Sequence, residues 1–282
     1  MEENKIYYGD CMELMKQIDD KSVDMILCDL PYGITACEWD SIIPLEPLWK
    51  EYKRIIKEDG VIVLTASQPF TTDLINSNKG WFKYELIWDK IKGSNILMAS
   101  KMPLKSHENI LVFYNSQPIY NPQKLKGFAN YDKSKYKKSS KTFGFDNKET
   151  NDICKDGSRY PTSILRFSKN WQPQKSLHST QKPVELFEYL IRTYSNEGDL
   201  VLDNCIGSGT TAVACKQTNR RFIGIDNNQE YVNMANKRLN FTTVGDFNLP
   251  TEESLISVKR ESADSPNSPH DSSTIKEEAN FS

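Results

Sequence analysis

A carboxylate, a proline and an aromatic ring follow one another at the end of an apolar run. The run covers residues 23–28, and the next residues are Asp29, Leu30, Pro31 and Tyr32. Such a run predicts a buried strand, and in open α/β sheets ligands bind beyond the carboxyl ends of the strands. The carboxylate and a backbone carbonyl can accept both N–H groups of an exocyclic amine while Tyr32 stacks on its ring. The pattern therefore indicates a site for an amine-bearing planar ring, and an ordinary Pro-Tyr-Gly turn is the structural alternative.

A second strand-like run, at 200–204, ends in a glycine turn that precedes a helix. Glycines let the backbone approach a ligand and place a helix N-terminus against it, although a plain helix-entry turn would look the same. Asp226 ends the next predicted strand, where an acidic residue binds ribose hydroxyls in nucleotide-binding β-α-β units. The third glycine of the dinucleotide fingerprint is absent. A nucleoside cofactor without a pyrophosphate therefore fits the turn better than NAD.

Six blocks in this order resemble the S-adenosylmethionine-dependent DNA amino-methyltransferases of the circularly permuted β group. Asp29-Leu30-Pro31-Tyr32 resembles the catalytic Asp-Pro-Pro-Tyr motif of that family, and 203–209 resembles its cofactor loop. The remaining blocks lie at 8–10, 54–60, 107–109 and 178–186, so that the resemblance spans residues 5–241. It implies methyl transfer from S-adenosylmethionine to the N6 amine of an adenine that is flipped out of double-stranded DNA.

The resemblance also implies roles for individual residues. The expected catalytic residues are Asp29, Leu30, Pro31 and Tyr32. The expected cofactor-binding residues are Asp10, Lys182, Asp203, Gly207, Gly209, Thr210 and Asp226. As structural alternatives, Asp10 is a helix N-cap and Lys182 marks the entry to a helix at the following proline. Two positions depart from the family pattern, because Leu30 replaces a proline and Asn204-Cys205 stands where Pro-Phe is common.

The choice of target base depends on Asp29. Family members that act on adenine N6 usually carry Asp at this position, whereas those that act on cytosine N4 usually carry Ser. Adenine is therefore favoured, N4-cytosine is the alternative, and an RNA amino-methyltransferase or a nucleotide-dependent oxidoreductase is less favoured. The sequence contains no Pro-Cys dipeptide for cytosine C5 methylation. We expect no metal site, because the six cysteines lack paired CxxC spacing.

Seven strand-like runs alternate with six helix-like stretches, the pattern of a parallel sheet covered by helices. The predicted strands are 6–8, 23–28, 61–65, 84–88, 110–114, 200–204 and 222–225, and the predicted helices are 12–18, 45–56, 71–76, 184–195, 209–218 and 229–240. With the resemblance, this predicts an α/β, Rossmann-like class I methyltransferase with a seven-stranded, mostly parallel sheet. We expect a catalytic half at 1–117, an inserted target-recognition region at 118–177, a cofactor half at 178–241 and a disordered acidic tail at 242–282.

Charge is unevenly distributed along the 282 residues, although the formal net charge is only −2. Residues 118–177 contain 13 Lys and Arg against 5 Asp and Glu, and residues 242–282 contain 3 against 8. The basic segment predicts contacts with DNA phosphates, with a solvated surface loop as the alternative, and its candidate residues are Lys124, Lys126, Lys133, Lys135, Lys137, Lys138 and Lys141.

No apolar run approaches the ~18 residues that span a bilayer. We therefore expect a cytoplasmic, DNA-associated protein with no membrane partner. A homodimer and a cognate restriction nuclease are further partners that the resemblance permits.

Overall fold

The computed structural model describes residues 1–33, 40–94, 96–126, 158–168 and 181–241. The strands in these ranges are β1 (Lys5–Tyr8), β2 (Val23–Asp29), β3 (Ile56–Ala66), β4 (Phe82–Ser94), β5 (Lys105–Phe113), β6 (Ile164–Arg166), β7 (Leu200–Asp203) and β8 (Arg221–Asp226). The α-helices are α1 (Cys11–Leu14), α2 (Leu45–Ile55), α3 (Phe70–Ser77), α4 (Val184–Tyr194), α5 (Thr210–Gln217) and α6 (Gln229–Asn240). Short 3-10 turns cover Met15–Gln17 and Ile96–Met98.

All eight described strands form one sheet in the order β1-β8-β7-β2-β3-β5-β4-β6. The pairings are parallel except that β5 runs antiparallel to both β3 and β4. The two C-terminal strands, β7 and β8, lie between β1 and β2. Met25 on β2 is level with Val201 on β7, and Ile26 is level with Leu202. The carboxyl ends of these two parallel strands therefore lie side by side at one edge of the sheet.

Helices cover both faces of the sheet, so its central strands are apolar on both sides. On β2, Ile26 and Cys28 belong to the core layer under α2 and α3, and Met25 and Leu27 belong to the layer under α4 and α5. Helix α2 shows the expected amphipathic spacing, because its buried residues are Leu48, Trp49, Tyr52 and Ile55. The fold class predicted from the sequence is thereby confirmed.

The sheet has one strand more than the seven predicted. The additional strand, β6, comes from the polar segment that the sequence assigned to the insertion, and it pairs in parallel with β4 from Ile87 to Asp89. The carbonyl of Phe167, just beyond β6, accepts a hydrogen bond from the buried Trp88 indole at 2.8 Å. Three residues are too few for periodicity to mark a strand. Residues Ile164–Arg166 are therefore part of the main sheet, and Leu165 and Phe167 belong to its core.

Candidate active site

A cavity of about 540 Å³ opens at the edge where β2 and β7 end, a volume typical of small-ligand sites. Several segments that are far apart in the chain border it. From one segment come all four predicted catalytic residues, Asp29, Leu30, Pro31 and Tyr32. From the predicted cofactor set come Asp10, Lys182, Asp203, Gly207, Thr210 and Asp226. The structure thus brings together ten of the eleven predicted site residues around one cavity.

Three side chains hold the carboxylate of Asp29 at the carboxyl end of β2. Its Oδ1 accepts hydrogen bonds from the Tyr32 hydroxyl at 2.6 Å and from the Thr65 hydroxyl, and its Oδ2 accepts one from Lys182 Nζ at 2.6 Å. Thr65 is level with Asp29 on the neighbouring strand. A carboxylate has about four acceptor sites, so the described donors leave one site on Oδ2.

Lys182 belongs to a buried chain of alternating charges. Its ammonium lies 2.6 Å from Asp29 Oδ2 and 3.4 Å from Glu108 Oε2, and Glu108 Oε1 lies 3.3 Å from Lys90 Nζ. The lysine side chains are only 8% and 7% exposed and that of Glu108 only 12%. The backbone carbonyl of Lys182 accepts a hydrogen bond from the Thr210 hydroxyl at 3.3 Å. Lys182 therefore contacts Thr210 at the start of α5 through its backbone and the Asp29 carboxylate through its ammonium.

The charges around Asp29 determine its protonation. Burial by itself would raise the pKa of Asp29, but the Lys182 ammonium and the hydrogen bonds from Thr65 and Tyr32 lower it below its usual value. Burial would likewise lower the pKa of Lys182, yet the negative charges of Asp29 and Glu108 raise it. Both groups are thus ionised at neutral pH, and the Asp29 carboxylate acts as a hydrogen-bond acceptor.

The ring of Tyr32 is held from several sides. It stacks on Phe70 with centroids 5.6 Å apart and planes 26° apart, and the Lys182 ammonium lies 5.6 Å from its centroid. The backbone amides of Tyr32 and Gly33 both donate to Asp40 Oδ1, at 2.8 and 2.9 Å. Asp40 is almost buried, so the turn after β2 is fixed before any ligand binds.

The glycine turn after β7 is tied to the end of β8. Gly207 N donates to Asp226 Oδ2 at 2.8 Å, and Asn228 N donates to Asp226 Oδ1 at 2.9 Å. Asp203 accepts from Cys205 N at 3.0 Å and from the Thr211 hydroxyl. Burial raises the pKa of Asp203 to about 7, against the lowering effect of these hydrogen bonds. This side of the cavity is lined with backbone amides and carboxylates.

Gly209 and Asp10 have structural roles that the sequence only partly indicates. Gly209 does not line the cavity. It adopts φ +83° at the start of α5, and a Cβ there would lie 2.7 Å from the Ala235 Cβ on α6. Asp10 is the N-cap of α1, because its Oδ1 accepts from Met12 N at 2.7 Å and Glu13 N at 3.3 Å. The N-cap prediction is confirmed, and Asp10 also faces the cavity.

Asn204 and Cys205, which stand where the family commonly has Pro-Phe, make polar contacts. Asn204 Oδ1 accepts from the buried Tyr52 hydroxyl at 2.5 Å. Its amide nitrogen lies 3.7 Å from Cys11 Sγ and 3.6 Å from Cys205 Sγ. Both cysteines are free thiols that line the cavity. Two sulfur atoms and an amide thus replace the aromatic ring.

Several side chains of the site were not predicted as functional. No motif in the sequence marks Thr65, Phe70 or Asp40 as functional, and Glu108 is marked only as one residue of the 107–109 block. The clearest available signal is the apolar run at 61–65, because it ends in Thr65. When β3 pairs with β2, the hydroxyl of Thr65 lies beside Asp29.

Two of the lysines predicted to contact DNA phosphates lie in the described residues. Lys124 Nζ lies 4.6 Å from the centroid of the Tyr160 ring, and Lys126 is also described. The predictions for Lys133, Lys135, Lys137, Lys138, Lys141 and the tail 242–282 lie outside the described residues. No helix in the described ranges combines the length and apolar character that crossing a membrane requires.

Comparison with known proteins agrees with this geometry. The family model described as "DNA methylase", of the N6/N4 methyltransferase class, matches residues 23–237. The chain is 30% identical to the Type II methyltransferase M1.MboII of Moraxella bovis, with 85% of this chain and 98% of the relative covered. It is 29% identical to the Type II methyltransferase M.HinfI of Haemophilus influenzae, with 84% and 68% covered.

Solved structures show the same fold. The M1.HpyAVI–SAM complex is 26% identical with a TM-score of 0.57, and 83% of this chain and 99% of that chain are covered. The cytosine-N4-specific PvuII DNA methyltransferase is 17% identical with a TM-score of 0.61, and 90% and 91% are covered. The predicted cofactor, S-adenosylmethionine, is confirmed for the family. The chain therefore belongs to the N6/N4 DNA methylases, which are S-adenosylmethionine-dependent amino-methyltransferases.

Proposed function

We propose that this protein is a site-specific DNA methyltransferase that methylates the exocyclic N6 amine of adenine. The observation that carries the proposal is the shared cavity, which Asp29 to Tyr32 enter from one side and the glycine turn from the other. The presence of Asp at position 29, where N4-cytosine enzymes usually have Ser, favours adenine over cytosine. Double-stranded DNA is the substrate on which Type II methyltransferases such as its relatives act.

The residues around the glycine turn fit the cofactor. Gly207 has φ +52°, and among the described residues the nearest atom to a Cβ there would be the Cys205 carbonyl oxygen at 4.0 Å. The backbone therefore faces the cavity. We expect the Gly207 segment to lie against the bound molecule and Asp226 to accept hydrogen bonds from its ribose. When bound, S-adenosylmethionine supplies an electrophilic methyl group on a positively charged sulfur.

The turn formed by Asp29 to Tyr32, which we call the catalytic turn, orients the target amine. The amine lone pair is delocalised into the base ring, so the nitrogen is a poor nucleophile. The remaining acceptor site on Asp29 Oδ2 and the Leu30 carbonyl accept the two N–H groups, which localises the lone pair and directs it. The lowered pKa of Asp29 makes this carboxylate a weak proton acceptor. Its contribution is orientation and electrostatic stabilisation.

The base reaches this turn only outside the DNA stack. Flipping costs a few kcal/mol of stacking and pairing, and contact with the Tyr32 ring recovers part of it. In the free protein the Lys182 ammonium lies over that ring. The incoming base therefore has to share the space above Tyr32 with Lys182.

The test is incubation with unmethylated DNA and S-adenosylmethionine, followed by mass spectrometry of the nucleosides. We expect N6-methyladenine; N4-methylcytosine as the product would refute the adenine assignment, and no methylated nucleoside would refute the function. Sequencing the product DNA gives the recognition site.

Asp29→Ala should abolish transfer while cofactor binding, measured by calorimetry, is retained. Asp24→Ala is the matched control, because Asp24 lies on the same strand and also pairs with a lysine at 2.6 Å, Lys57, but does not line the cavity. Retained activity in Asp29→Ala would contradict the mechanism.

A further inference from the structure

The hairpin of β4 and β5 extends beyond the catalytic edge of the sheet. The last pairing of β3 is Ala66 with Asn109, and β5 begins four residues earlier in the chain, at Lys105. At ~3.3 Å per residue, β5 thus extends about 13 Å past the end of β3. Its partner β4 continues to Ser94, which pairs with Lys105. The hairpin therefore projects from the edge at which the cavity opens.

The end of this hairpin is apolar and exposed at its described residues, 91–94 and 96–104, which we call the hairpin tip. Leu97 is 96% exposed and Ile96 is 74% exposed. The other large exposed apolar side chains of the hairpin tip, among its described residues, are Ile91, Met102 and Leu104. Adjacent apolar side chains that face water in this way mark a surface that binds a partner.

The charge of the hairpin indicates which partner it fits. Residues 90–107 contain Lys90, Lys92, Lys101 and Lys105 and no Asp or Glu. Lys92 and Lys101 are exposed beside the apolar side chains. A polyanion complements this surface, whereas a two-fold symmetric dimer through the tip would bring the same lysines face to face. The surface therefore fits nucleic acid better than a second copy of this chain.

The base of the hairpin is connected to the catalytic carboxylate. Lys90 on β4 and Glu108 on β5 form an ion pair, and Glu108 in turn contacts Lys182, which holds Asp29. A DNA duplex whose target base reaches Asp29 must therefore pass beside the hairpin. The major groove admits a two-stranded β-ribbon, and several DNA-bending proteins insert apolar side chains between base steps.

We propose that the hairpin tip enters the duplex beside the target base and that Leu97 occupies the gap left when the base flips out. Lys92 and Lys101 contact the flanking phosphates. This inference rests on the proposed function, because it requires a base that leaves the stack. It assigns the opening of the duplex to an element separate from the basic segment 118–177.

The experiment compares two duplexes that carry the recognition site read from wild-type products. In the first duplex the target base is paired, and in the second it lies opposite an abasic position, so that little pairing has to be broken. Methyl-transfer rates at subsaturating DNA are measured for the wild type, Leu97→Ser and the control Phe241→Ser. Phe241 is 72% exposed and follows α6, which runs from the catalytic edge to the opposite edge.

Leu97→Ser should be about tenfold slower than the wild type on the paired duplex, since burial of a leucine side chain between base steps contributes at least that order of affinity. It should match the wild type on the abasic duplex, and Phe241→Ser should match it on both. An equal loss on both duplexes, or no loss on either, would overturn the proposal.

Sedimentation of the proteins without DNA tests the alternative that the hairpin tip binds a second copy of this chain. If Leu97→Ser converts a dimer to a monomer without changing the ratio of the rates on the paired and abasic duplexes, the tip is a self-association surface and the proposal is wrong. This ratio of rates can be measured whether the methylated base is adenine or cytosine. Absence of any transfer by the wild type would instead refute the proposed function.

Discussion

Gly209 allows a quantitative test of why the cofactor loop needs its second glycine. Its backbone has φ +83°, and a Cβ would lie 2.7 Å from Ala235 Cβ and 3.0 Å from Ala235 Cα. Gly198 is a matched control, because it has φ +82° and no described atom lies within 4 Å of its added Cβ. An alanine in the left-handed region costs ~1–2 kcal/mol, and overpacking a filled site costs a further ~1–3 kcal/mol.

We therefore expect Gly209→Ala to lower the free energy of unfolding by ~2–5 kcal/mol and Gly198→Ala by ~1–2 kcal/mol. At ~2–4 °C per kcal/mol for a large domain, the two melting temperatures should differ by ~2–12 °C. Urea and thermal denaturation measure both quantities. Equal destabilisation of the two variants would show that the contact with Ala235 contributes nothing.

The same variants separate packing from ligand binding. Gly209 does not line the cavity, whereas Gly207 does. Calorimetry below the melting temperature should show weaker S-adenosylmethionine binding for Gly207→Ala than for Gly209→Ala. The reverse order would contradict the assignment of Gly209 to the packing of α5 against α6.

Three further perturbations test the charges of the protein. Lys182→Met should move the acid limb of the rate-versus-pH profile to higher pH, because only the hydrogen bonds from Thr65 and Tyr32 then oppose the rise in the pKa of Asp29 that burial causes. Lys57→Met, which breaks the ion pair at the other end of β2, should leave the profile unchanged. Asp203 binds a proton more tightly in the folded state, so its contribution to stability should fall as pH rises from 3.8 to about 7. In urea titrations over this range, the free energy of unfolding of Asp203→Asn should therefore fall less with pH, or rise more, than that of the wild type. Removal of residues 242–282, which carry 3 basic and 8 acidic side chains, should tighten nonspecific DNA binding in low-salt filter assays; an unchanged affinity would show that this charge has no such effect.

The parts of the site that could be predicted from the sequence are local. The segment from Asp29 to Tyr32 and the glycine turn each consist of neighbouring residues at the end of a buried strand, so one short window contains both the element and the ligand-binding groups. The N-cap role of Asp10 is local in the same way. Strand–turn–helix signals of this kind need no knowledge of distant contacts.

The contacts between these segments could not be predicted, because they depend on strand order and register. Lys182 and Asp29 are 153 residues apart in the chain. Lys182 lines the same cavity as the predicted cofactor-binding residues, and its ammonium also pairs with the Asp29 carboxylate, a contact that the sequence did not indicate. Glu108 joins the pair only because β5 lies two strands from β2. Strand β6 was missed because three residues in a polar segment carry no periodic signal.

The strand order also determines when this protein can fold during synthesis. Strand β1 pairs with β8, so that Lys5 meets Ile223, and β2 has β7 on one side. The first strand thus has no neighbour until more than 200 residues have followed it out of the ribosome, which takes roughly 10–45 s at ~5–20 residues per second. During that time the face of β2 that carries Met25 and Leu27 lacks the layer formed by α4 and α5. This apolar face of the nascent chain is therefore exposed until those helices have been made, so chaperones have that time to bind it.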